Sequence, residues 1–91
     1  METYRWDEDS YAAVAAAGLA WQNVVFVLYD SRPRIRRHIG AVLHVSAPAP
    51  DGQWMLVTLI EETDDAYLVV GARHLDEIEA DAARKIIEGG M

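Results

Sequence analysis

The chain has 91 residues, 52% of them apolar, no cysteine, and fifteen acidic against eight basic side chains, for a formal net charge of −7. These totals fit one packed domain over residues 1–91 and exclude disulfides, thiolate metal sites and a thiol nucleophile. No apolar run approaches the roughly 20 residues of a membrane-spanning helix, and the opening METYRWDEDS has neither the basic nor the apolar region of a signal peptide, so a cytoplasmic protein with no membrane partner is expected.

Thr3 to Trp6 reads as a short strand, β-branched and aromatic. Asp7 or Asp9 can cap the helix that follows, and Glu8 and Asp9 suit the positive end of its dipole. Ser10 to Ala17 is mostly alanine, and Gly18 supplies the left-handed residue that ends such a helix. Trp21 to Tyr29, rich in β-branched and aromatic residues, favours a strand on propensity, with a short buried helix as the alternative. Asp30 to Pro33 is turn chemistry, and Pro33 prevents a helix from running through it.

Three strands then follow, at 39–46, 53–61 and 66–72, joined by Ala47 to Gly52 and by the acidic turn Glu62 to Asp65. Connections this short make an antiparallel meander. In the middle strand Trp54, Leu56 and Ile60 alternate with Met55, Val57 and Leu59, so both faces are apolar and both need cover. The chain ends in a helix with an apolar stripe of Leu75, Ile78, Ala82 and Ile86, and with Asp76 and Glu79 spaced as a capping box. The expected fold is α+β: a small antiparallel sheet, made of the meander and the N-terminal strand, with one or two N-terminal helices and a C-terminal helix.

Candidate chemistry is sparse. Residues 32–38 carry Arg32, Arg34, Arg36, Arg37 and His38 with no acid, a local +4, which leaves four basic against fifteen acidic residues, or −11, on the rest. Such a row either solvates a strand edge or offers an anion or acidic-partner surface. Arg73 and His74 stand just before the last helix, where free N–H groups favour an anion; Arg73 there can fork onto a phosphate or pair with Asp76 or Glu77. His74 or His38 can move a proton near neutral pH. His44, mid-strand, reads as a sheet histidine, and Trp6 as a core aromatic or a base-stacking platform. No metal or cofactor motif is present in the sequence.

Some short segments resemble a known family. Tyr4-Arg5-Trp6-Asp7, Gly18-Leu19-Ala20-Trp21 with Val25-Phe26, Ile39-Gly40, and Val70-Gly71-Ala72-Arg73 are similar to motifs of the BrnT-type toxins of bacterial toxin–antitoxin pairs, within the RelE-like ribonuclease superfamily. The resemblance implies a RelE-like fold, a helix for 21–29, and a metal-independent endoribonuclease without cofactor. It implies an RNA substrate and an antitoxin partner, with Arg73 at the matched catalytic position and Trp6 at a position near the site. His74, or His38 with Arg37, could stand in for the catalytic pair, and on charge Arg32, Arg34, Arg36, Arg37 and His38 would serve RNA or anion binding. The family's Lys-His pair before the glycine is Ala16-Ala17 here, so a general acid/base pair is missing at that place. The alternative is a non-catalytic interaction module of the same fold that binds an acidic partner or self-associates through its sheet.

Overall fold

A computed structural model describes residues 2–89. The elements, in order, are β1 (Thr3–Arg5), α1 (Glu8–Ala16), α2 (Trp21–Tyr29), β2 (Ile35–Ile39), β3 (Val42–Pro48), β4 (Trp54–Thr63), β5 (Ala66–His74) and α3 (Glu77–Gly89). The α+β class expected from the sequence is present. The sheet is larger than expected, with five strands in the order β1-β5-β4-β3-β2, and it is mixed, because β1 runs parallel to β5. The added strand is β2, the basic segment itself. Gly40, with φ of +61°, opens a two-residue turn that pairs Ile39 with Val42 and extends the meander by one strand.

Residues 21–29 are helical, against their strand propensity. The reason is packing: Val24, Val27 and Leu28, spaced 3 and 1, are all buried against the sheet. Asp7 caps α1, its carboxylate accepting from the Ser10 N–H at 2.9 Å. Gly18, at φ of +77°, reverses the chain between the two helices. α1 packs on β5, and α2 on β3 and β4. Together they cover one face of the sheet and enclose a core of Val14, Leu28, Leu43, Met55, Val57 and Leu59 with their neighbours.

Among the described residues the opposite face is covered by α3 alone, and α3 sits lightly. Of the expected apolar stripe, Ile78 is 82% exposed and Ile86 58%, while Ala83 is the buried residue of this helix. Two interactions set this rotation. Asp76 and Glu79 form the expected capping box, each carboxylate accepting the other's backbone N–H. Glu79 is also tied to Arg73 on the sheet, so Glu79, Ala83 and Ile87 turn inward in place of Ile78.

The sheet is strongly curled. Glu2, just before β1, and Arg36, on β2, flank opposite edges of the sheet, yet Arg36 donates to the Glu2 carboxylate. Tyr4 Oη donates to the same carboxylate at 2.8 Å, and the His38 ring lies 6.3 Å from that of Tyr67. No single helix among the described residues is long and apolar enough to cross a membrane. The α1–α2 pair passes the same test of length and composition together, but it is bent by 105° and its Val14, Val24, Val27 and Leu28 are buried in the core.

Candidate functional site

The outer face of the sheet, under α3, is built in rows. One row runs Ile35, Ser46, Leu56, Arg73; the next runs Arg37, His44, Thr58, Gly71; a third runs Ile39, Val42, Ile60, Leu68. Arg73 belongs to this face only because β5 is irregular. Tyr67 and Val69 point into the core, and strict alternation would send residues 71 and 73 the same way. A bulge at Val70, between the Leu59–Val69 and Thr58–Gly71 pairs, inserts one residue and inverts the phase. Arg73 is thereby aimed outward, opposite Leu56, and His74 is opposite the fully buried Met55, on the inner side.

The basic residues singled out from the sequence are therefore divided. Arg37 and Arg73 share the outer face, and both line one groove of about 270 Å³ between that face and α3. Its floor is apolar, from Ile35, Leu56 and Leu75, and His44 stands beside Arg37 as its direct cross-strand partner. Arg36 and His38 lie on the inner side with Glu2, Tyr4 and Tyr67. Arg32 and Arg34 donate to the backbone carbonyls of Ser31 and Leu28 and hold the turn before β2. Trp6 packs against the core and against Tyr11, ring centroids 4.9 Å apart.

Two of these singled-out arginines, Arg36 and Arg73, already hold carboxylates of this chain. Arg73 donates twice to Glu79, both at 2.8 Å, in the fork geometry of an arginine on an oxyanion. That hydrogen bonding, with the Asp76 N–H, holds the Glu79 carboxyl down at about 2. Against a burial that would raise it, hydrogen bonds from Tyr4 and Arg36 keep the Glu2 carboxyl below the usual range. Burial, reinforced by Glu2, pushes the Tyr4 phenol up to about 12. Arg37 has no hydrogen-bond or ion-pair partner among the described residues. It is the cation of the groove that is open to a ligand.

The chain matches no family model and no curated protein. The resemblance to BrnT-type toxins thus rests on the short motifs alone. At the place of that family's Lys-His pair, Ala16 and Ala17 are exposed at the C-terminal end of α1. Among the described residues no group of three or more histidines and acids is placed to hold a metal ion.

Sequence reasoning missed Glu79 as the partner of Arg73, choosing Asp76 or Glu77, and gave His44 no part in the site. The capping-box spacing placed Glu79 one turn into α3, and the strand ending at Arg73 leads directly into that cap. The signal for the pair was in the sequence. Glu2 and Tyr67 carried none, because their meeting with Arg36 depends on the curl of the sheet.

Proposed function

We propose that this protein is a non-catalytic interaction module whose groove takes an acidic, partly apolar segment of a partner protein. The observation that carries the reading is the Glu79 carboxylate in the fork of Arg73, beside an unpaired Arg37 and an apolar floor. A carboxylate of the protein already sits where a partner's carboxylate would sit. The −11 body around the basic segment disfavours a polyanion such as RNA at long range, whereas a single acidic segment needs only local contact.

The test is fluorescence anisotropy with labelled acidic-apolar peptides. Arg73→Ala is expected to weaken binding about ten- to a hundredfold, the effect of one charged hydrogen-bonded contact. Glu79→Gln keeps the capping box but removes the internal competitor, so it is expected to tighten binding. Equal affinities for wild type and both variants would reject the groove as the site.

A second reading keeps the toxin-like ribonuclease, with an antitoxin as its partner in the cytoplasm. The juxtaposition of Arg37, His44 and Arg73 in one groove favours it. His44 would take the proton of an RNA 2′-hydroxyl as that oxygen forms its bond to phosphorus, and the departing 5′-oxygen would be protonated in turn. The two arginines would stabilise the developing charge. Metal-free RNA cleavage by wild type, lost in both His44→Ala and Arg73→Ala, would establish this reading in place of the first.

A further inference from the structure

We infer that β2 is a docking edge at which an acidic extended segment of the partner adds as a sixth strand. The inference rests on the interaction-module reading and names its mode of binding. Among the described residues β2 ends the sheet and pairs with β3 alone. Its register fixes which backbone groups are free. Ile39 and Val42 flank a two-residue turn, so they must form a mutually hydrogen-bonded pair, and the alternation along an antiparallel ladder makes Arg37–His44 and Ile35–Ser46 bonded pairs as well. The N–H and C=O groups of Arg36 and His38 therefore point away from β3, out of the free edge. Such an edge is a template for another strand unless something blocks it.

Charge decides what that strand is. The segment 32–38 carries four arginines and no acid. A second copy of this chain pairing β2 against β2 about Arg37 would set Arg37 against Arg37, and like charges directly opposed across strands are unfavourable. An acidic segment meets the opposite sign at Arg37, which has no partner among the described residues, and at Arg36, where it would compete with Glu2. The pattern follows from the register: apolar residues opposite Ile35 and Ile39, acidic residues opposite Arg36, Arg37 and His38. The side chain opposite Arg37 would project on the outer face, at the mouth of the groove that Arg37 and Ile35 help to line. The partner can thus run along β2 and continue towards Arg73.

The experiment uses a labelled synthetic peptide, Val-Glu-Glu-Glu-Val flanked by threonines, with a lysine counterpart and a single-stranded RNA oligonucleotide as alternatives. Residue-resolved amide exchange is followed by NMR with and without the acidic peptide. The expected result is slowed exchange at Arg36 and His38, binding by the acidic peptide alone, and at least about tenfold weaker binding by His38→Pro than by His38→Ala. Proline there removes an outward N–H and no bond to β3. If His38→Pro fails to fold, protection of the two wild-type amides decides the matter. Binding that depends on Arg73 but leaves those amides unprotected would overturn strand addition and leave the groove reading standing. Absence of acidic-peptide binding to wild type would overturn both. Preferred binding of RNA, or a concentration-dependent dimer that protects the same amides, would overturn the acidic-strand assignment.

Discussion

Ser10 lies where α1 meets β5, fully buried, with its hydroxyl donating to the Val69 carbonyl and accepting from the Asp7 N–H. One small side chain thus closes the cap of a helix and fastens it beside the bulge that aims Arg73. Ser10→Ala would leave the Val69 carbonyl without its partner in the interior. The expected cost is about 1–3 kcal/mol, read as a lowered urea midpoint at unchanged slope. Ser31, also buried and donating to the Pro48 carbonyl at 2.6 Å, plays a similar part where the chain enters β2. Arg73 shows the limit of reading at this scale. Its residue type and position before a helix were legible as an anion contact, and the capping-box spacing was legible too. Its outward direction was not, because it depends on an inserted residue that period-2 alternation does not reveal.

Among the elements, α3 departs most from its sequence pattern. An apolar stripe of Leu75, Ile78, Ala82 and Ile86 suggested a helix pressed onto the sheet. The rotation imposed by the Arg73–Glu79 fork instead leaves Ile78 82% exposed. Ile78→Lys is accordingly expected to change stability by no more than about 0.5 kcal/mol in denaturant titration, as for an ordinary surface position. A buried isoleucine would respond far more strongly. The hairpin of β2 and β3 makes the opposite case. Gly40 holds φ of +61° at the first turn position, so Gly40→Val is expected to cost at least about 1–2 kcal/mol, checked by the same titration. Gly18 and the chain reversal it makes were readable from the sequence for the same steric reason. α2 was readable only as an alternative to a strand and from the family resemblance, since Val24, Val27 and Leu28 become a helix face only once a sheet is there to receive them.

At the scale of the whole molecule, the class and most strand positions were readable, and the curl and the mixed pairing were not. Both depend on contacts between residues far apart in the chain, such as Glu2 with Arg36 and Tyr4 beside Tyr67. The charge arrangement has a consequence for acid stability. The Glu79, Glu62, Asp7 and Glu2 carboxyls are all held below their usual range, by Arg73, by Arg5, by the Ser10 N–H, and, against burial, by Tyr4 and Arg36. Carboxyls depressed in the folded state stabilise it fully above about pH 4–5, and that contribution is lost as pH falls towards their folded values. The urea midpoint is therefore expected to be level on this account from about pH 5 upward. It should fall steadily below about pH 4, with Glu79 titrating at about 2. A midpoint that rose on acidification would contradict these pairings.

The fork between Arg73 and Glu79 also acts as a threshold. A carboxylate tethered six residues along the same chain competes at an effective concentration in the millimolar range or above. A free small carboxylate at ordinary cellular levels cannot displace it. If the groove binds a partner as proposed, only a ligand that brings several contacts together, along the groove and onto Arg37, would repay the exchange. The internal ion pair would then filter by valency, passing over stray anions and admitting extended ones.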